Sequence, residues 1–367
     1  MRWSGSFRRQ NADSVATGID RSQADRPSVG MTYASTTPDR RILLLGIASA
    51  MGASCFFSIN DASVKFLSGG YALHQIVLIR SLIGMALMLA IVLPSRGGLA
   101  AFRTRRLGMH LVRGSFVVTS NLCFFLGLAV MPMAEAVALF FIAPLLITAL
   151  SVPMLGEKVG PRRWAAVGVG LLGVIVMLRP GAGIFHPAML LPLFAAFCYA
   201  MLHMLTRRLG TTESAVTLTL YIQLTFIGIC AISGLILGGG AFASEANASL
   251  AFLTRAWEWP DLADMPILGL IGCASVVGAL LITHAYRSCE AAVVAPFEYV
   301  SMPLAIVFGV VVFGEWPDPV AWGGIALICG AGLYTVLRET RAHPDTPPLA
   351  SVPGNLRSTA LGGDPEA

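Results

Sequence analysis

Ten apolar segments fill most of the chain between residues 42 and 338, and each approaches the roughly 20 residues that a helix needs to cross a bilayer. They run over 42–66, 72–93, 109–131, 134–155, 164–180, 188–206, 215–238, 265–286, 291–313 and 318–338. Runs of this length exclude most soluble folds, and the composition agrees. Only 12% of residues are charged, against about 25% in a soluble domain, and 56% are hydrophobic. A disordered chain, a collagen, a coiled coil and an ordinary soluble enzyme are excluded together. The expected fold class is an all-α polytopic membrane protein with ten transmembrane helices.

The polar remainder fixes an expected topology. Residues 1–41 and 341–367 are polar and lack the apolar core of a signal peptide, so they read as disordered cytoplasmic tails. With the N-terminus inside, 20 of the 25 Lys and Arg side chains fall on the cytoplasmic side. Only Lys65, Arg179 and Arg255 fall outside, while Arg80 and Arg113 lie within helices. The expectation is a multi-pass protein of the plasma (inner) membrane with both termini cytoplasmic. The basic residues form no stripe with interleaved aromatics, so nucleic acid is not an expected partner. Seven cysteines, none in a CxxC pair, read as buried thiols, with no metal site. Asn247-Ala-Ser249, in the long 239–264 connection, fits a glycosylation acceptor pattern.

The chain also repeats itself. PMLGEKVGPRRW (153–164) and VVFGEWPDPVAW (311–322) share a Gly-Glu pair with Trp seven residues after the Glu. The pairs are Gly156-Glu157 and Gly314-Glu315. A proline-bearing apolar helix precedes each, with Pro144 or Pro303, and a glycine-rich helix ending in Leu-Arg follows. Ten helices thus divide into two fives, 42–181 and 188–338. Five is odd, so the halves should insert with opposite orientation, the plan of alternating-access transporters.

Three stretches carry a family resemblance: residues 61–84 (DASVKFLSGGYALHQIVLIRSLIG), 134–181 from AEAVALFF to VIVMLRPG, and 294–333 from VAPFEYVS to CGAGL. The chain resembles the EamA-like branch of the drug/metabolite transporter superfamily over 42–338. The resemblance implies two inverted five-helix EamA repeats and the transport of a small metabolite or drug-like solute, which it does not name.

Ionisable groups inside a bilayer are costly, which makes Glu298, Arg80 and Asp61 the candidates for coupling or substrate contact. Glu298 lies seven residues into the ninth segment, between Pro296 and Pro303, where freed carbonyls can face a cavity. Proton coupling, binding of a cationic solute and a structural hydrogen bond are its open readings. The related position in the first half, about Leu139, carries no acid. Arg80 is expected to pair with Asp61 or to bind an anionic solute, with Lys65 in the same cluster or reaching outward. Candidate cavity-lining residues are Asn121, Phe140, Phe141, Tyr199, Tyr221, Gln223 and Tyr299. Glu157 and Glu315 are read as hinge or cap residues bonding amides of the following turn. His203 and His284 are read as solvated helix ends. The glycines of helices five and ten are read as close-packing surfaces.

The sequence has no GxxxxGK[ST] loop and no soluble domain for ATP, so energy would come from a gradient. The function expected is secondary active transport of a small solute by alternating access, with proton coupling through Glu298 one of the open readings of that residue. The expected partners are a small-molecule solute and the lipid bilayer. No cofactor is implied, and the oligomeric state is open, a homodimer included. An intramembrane enzyme lacks support, because neither HExxH nor GxSxG occurs; a sensor or scaffold that has lost transport is the third reading.

Overall fold

A computed structural model describes residues 40–92, 104, 106–156, 159–179, 187–209, 215–244, 247–288, 294 and 297–342. The helices are α1 (Arg40–Leu67), α2 (Leu73–Val92), α3 (Leu107–Leu128), α4 (Met133–Phe140), α5 (Ala143–Leu155) and α6 (Pro161–Leu178). A 3-10 turn at Pro187–Met189 leads into α7 (Leu190–Leu209), followed by α8 (Ala215–Leu237), α9 (Ala248–Thr254) and α10 (Met265–Ser288). The last two are α11 (Ser301–Phe313) and α12 (Pro319–Ala342). The expected tails lie almost wholly outside the described residues, as do Glu157 and Pro296.

Eight described stretches, with α4 and α5 forming one, are long and apolar enough to cross a membrane. Ser301–Phe313 and Pro319–Thr335 are apolar but shorter stretches among the described residues, and part of the ninth expected segment lies outside them. Large apolar side chains such as Leu172, Ile175, Ile232, Leu235 and Val311 point outward, as a lipid-facing surface requires. Small and medium apolar residues fill the interior between helices.

The fourth and ninth segments are not continuous. Helix α4 stops at Phe140, a turn occupies 141–142, and α5 resumes with Pro144 in its first turn. In the ninth segment the chain is helical at 297–298, turns at 299–300 and resumes at Ser301, with Pro303 two residues on. Proline has no amide to give to the preceding turn, which is why the helical ladder lapses just before each one.

The sequence repeat is copied in the backbone. Helices α5 and α11 each have 13 residues, and their ends are 158 positions apart. Both end on a glycine in the left-handed region, Gly156 at φ 70 and Gly314 at φ 67, where a Cβ would be strained. Proline opens the next helix in each case, Pro161 or Pro319. Packing follows the same exchange. Helix α1 lies along α10 and α3 along α7, while α2 packs on α8, α4 on α11 and α6 on α12.

The glycine-rich helices α6 and α12 pair with each other, as expected. Met177 and Gly173 meet Gly324, Gly173 also meets Leu327 and Ile328, and Gly170 approaches Ala331, so the two helices run antiparallel. A Cβ on Gly324 would sit 3.1 Å from the Gly173 carbonyl oxygen. Gly168, Gly323 and Gly330 face open space instead.

The 239–264 connection holds a short helix that the sequence reading missed. The Asn247 side chain accepts a hydrogen bond from the Leu250 amide at 2.8 Å and caps α9. Arg255 donates to the carbonyls of Ser68 and Tyr71, and the Tyr71 hydroxyl donates to Asp264 at 2.7 Å, which ties this connection to the α1–α2 turn. The Trp257 ring occupies the space that Gly234 leaves open.

Candidate transport site

The two helix breaks bring together most of the predicted aromatic residues. Phe141, in the first break, stacks on Tyr299, in the second, with ring centroids 4.8 Å apart and planes 21° from parallel. These residues occupy equivalent positions of the repeat, 158 apart. Next to Phe141, Phe140 meets Tyr199 of α7 at 5.4 Å and Phe124 of α3 at 5.2 Å. Offset and tilted ring pairs of this kind are favourable beyond the area they bury. Tyr299 fits because Gly332 has no Cβ to meet its hydroxyl, which is buried with no hydrogen-bond partner among the described residues.

Glu298 belongs to this group. It is half-buried, and its charge acts on both Tyr199 and Tyr299. Its carbonyl accepts hydrogen bonds from the hydroxyls of Ser301 (2.7 Å) and Ser54 (3.4 Å), so the break's backbone acceptors are partly satisfied by side chains. The 158-residue repeat sets Glu298 against Phe140, one residue beyond the expected Leu139, and the first half indeed carries no acid there.

Arg80 forms a second node. It is 7% exposed, donates to Asn121 Oδ1 at 2.8 Å, and lies over the rings of Phe226 (5.2 Å) and Phe125 (5.7 Å). The expected ion pair with Asp61 is not formed. Asp61 accepts instead from Asn60 Nδ2 at 3.0 Å, and its charge reaches Arg80 only through space. Flanking aromatic faces and an amide oxygen hold the guanidinium, with no direct carboxylate partner among the described residues.

Tyr221 and Gln223 serve helix packing. Tyr221 stacks on His110 at 4.6 Å, and Gln223 donates to the Ser81 carbonyl at 3.3 Å across the space left by Gly84. His203, expected at a solvated edge, is half-buried and meets the Tyr199 ring edge-on at 4.5 Å. Its spacing of four residues from Tyr199 on one helix was the available signal. His284 is exposed at a helix end, within 3.1 Å of Ser49.

Lys65 and Glu315 depart furthest from expectation. The Lys65 ammonium neither joins Asp61 nor reaches outward: it donates to both Glu315 oxygens and to the Met131 carbonyl, each at 2.7 Å. Glu315 also accepts the Met133 amide at 3.0 Å, at the start of α4, rather than an amide of its own following turn. Nearby, Arg179 ends α6 in the left-handed region and pairs with Asp318, whose carboxylate caps α12 through the Ala321 amide. That amide bond, and then Arg179, hold the Asp318 carboxyl below the usual carboxylate range.

Comparison with known proteins places this architecture. A profile described as the EamA-like transporter family matches residues 44–179, the first half of the apolar region. The chain is 31% identical to a riboflavin transporter of Rhizobium johnstonii, over 70% of this chain and 80% of that protein. It is 29% identical to a riboflavin transporter of Vibrio cholerae, over 81% and 95%. Identity to an S-adenosylmethionine uptake transporter of Rickettsia bellii is 24%, over 78% and 91%. A solved crystal structure, 19% identical, superposes with a TM-score of 0.53 over 83% of this chain and 99% of its own, a likeness of fold. An integral, multi-pass, all-helical chain with these relatives belongs to the EamA-like transporter family and is a small-metabolite transporter.

Proposed function

We propose that this chain is a secondary active transporter that moves a small metabolite bearing a flat heteroaromatic ring, by alternating access between two oppositely inserted five-helix repeats. The observation that carries the reading is the Phe141–Tyr299 stack at the paired helix breaks. Equivalent residues of two repeats touch each other only on the axis that relates them. Broken helices meeting at such an axis are where transporters of this plan expose backbone groups to a solute. The antiparallel α6–α12 seam supports inversion, because these are equivalent helices of the two halves. The reciprocal contacts Gly173–Ile328 and Gly170–Ala331 exchange under the same 158-residue shift. In this reading α11 and α12 complete a ten-crossing bundle with both termini on the basic, cytoplasmic side.

Riboflavin and S-adenosylmethionine, the solutes named for the relatives, both carry heteroaromatic rings. The rings of Phe140, Phe141, Tyr199 and Tyr299 offer stacking faces for such a group. Glu298, beside two of them, is the proton carrier whose state biases the inward–outward equilibrium. Arg80, with Asn121, supplies a fixed positive charge to the same interior.

The test is uptake by purified protein in proteoliposomes under an imposed pH gradient, with riboflavin and then S-adenosylmethionine as probes. Phe141→Ala should lower uptake about two- to tenfold, the loss of roughly one ring-stacking contact. Glu298→Gln should abolish gradient-driven uptake and leave solute counterflow intact. If Glu298→Gln is still driven by the gradient, the coupling role is wrong. If neither probe moves and no heteroaromatic metabolite raises the Tm, the solute class is wrong.

A further inference from the structure

We infer that Lys65, Glu315 and the first turn of α4 form the gate that closes the site at the end of the bundle carrying the α1–α2 and α11–α12 turns. The inference rests on the alternating-access reading above. Its Glu315 contacts cross between the proposed repeats: Lys65 and Met133 belong to the first and Glu315 to the second, while the Lys65 bond to Met131 anchors the ammonium within the first. The neighbouring Arg179–Asp318 pair crosses the same way. Glu135, in the first turn of α4, feels the charges of all four of these groups. Five ionisable side chains thus converge where the two halves meet at one end.

Their arrangement suits a joint that opens. The Lys65 side chain is 7% exposed, and its three donors are used on Glu315 and Met131. The Glu315 side chain is 28% exposed, so the pair is open to the surface on one side. On the other side α4 runs from Met133 to Phe140 (about 11 Å of helix), straight to the aromatic break. The carboxylate also takes the first amide of α4, where the helix dipole favours negative charge. When the halves part, both charges regain water, so the open state loses the pair without burying an isolated ion. Glu315 itself leaves α11 through Gly314 in the left-handed region, with its amide bonded to the Gly309 carbonyl at 2.8 Å. That turn fixes where the carboxylate sits relative to α11.

The experiment uses full-length protein in nanodiscs and no solute, so it stands apart from the identity of the solute and from the uptake test. Val137, 7% exposed and one turn beyond Met133, becomes a reporter as Val137→Cys, alkylated with N-ethylmaleimide and read by peptide mass spectrometry. Removing one charge of a buried pair penalises the closed state, so Lys65→Gln and Glu315→Gln should each speed labelling at least about fivefold. The buried Cys198 and Cys230 should label no faster than before. Unchanged labelling at Val137→Cys overturns the gate. So does an equal rise at Cys198 and Cys230, which marks general loosening. Should the variants fail to fold, hydrogen exchange of the unmodified protein decides. A gate requires the amides of Met133 and Glu315 to exchange together and faster than those of α6 around Gly173. Exchange as slow as that seam overturns it.

Discussion

Arg80 illustrates what single residues reveal and hide. That a buried arginine must find acceptors was legible, since guanidinium keeps its charge. Which acceptor it finds was not: Asp61 and Asn121 both lie within reach by depth, and only the packing of α2 against α3 selects Asn121. Asn121→Leu should therefore leave a buried charged donor unpaired and lower stability by about 2 kcal/mol, measured as a fall in Tm in detergent. Lys65 was harder still, because its partner is 250 residues away. Asp318 yields a pH prediction. Its carboxyl is depressed in the folded protein, so its contribution to stability is complete above the ordinary carboxylate range and fades as acid reaches its lowered pKa. The Tm difference between the native protein and Asp318→Asn should stay constant from about pH 8 to pH 5 and shrink only below about pH 4.

Among elements, the apolar segments were legible within a few residues because hydropathy measures the property that the bilayer selects. The breaks at 141–142 and 299–300 were not, although Pro144 and Pro303 announced weak points in the ladder. A proline marks where a helix can lapse, and only tertiary packing decides that it does. The small helix α9 escaped because seven residues carry little periodicity, even though Asn247 stood at its start as a cap. The seam between α6 and α12 gives the element-scale test. Gly324→Ala drives a methyl into Met177 Cγ and puts it 3.1 Å from the Gly173 carbonyl oxygen. It should destabilise by about 1–3 kcal/mol, as overpacking does. Gly323→Ala, next in the chain but facing open space, should change stability by less than about 1 kcal/mol. Thermal melts of the two variants side by side read the difference.

For the molecule as a whole, the local copy at the ends of α5 and α11 was legible from the Gly-Glu repeats, because similar chemistry ends one helix and starts the next at both places. The way the halves embrace was not legible, since α1 seeks α10 and α3 seeks α7 across more than 60 intervening residues in each case. If the halves are inverted, the α5–α6 and α11–α12 turns open on opposite faces of the membrane. A cysteine at Gly160 and one at Trp316, both exposed, should then react from opposite sides. An impermeant maleimide added to intact cells should label Trp316→Cys at once and Gly160→Cys only after permeabilisation. Labelling of both from outside would refute the inverted topology.

The seam also bears on how such a chain can arise. Helix α6 meets its match in α12, which also starts with proline and carries small residues at several of the same repeat positions, so each half supplies a surface that fits the other. A half-length chain made alone would display that surface bare, and a second identical copy inserted the other way up would cover it. If the halves are inverted, fusing two genes for such a dual-topology dimer would give a chain of this plan, and the 158-residue register between α5 and α11 is the trace such a fusion would leave.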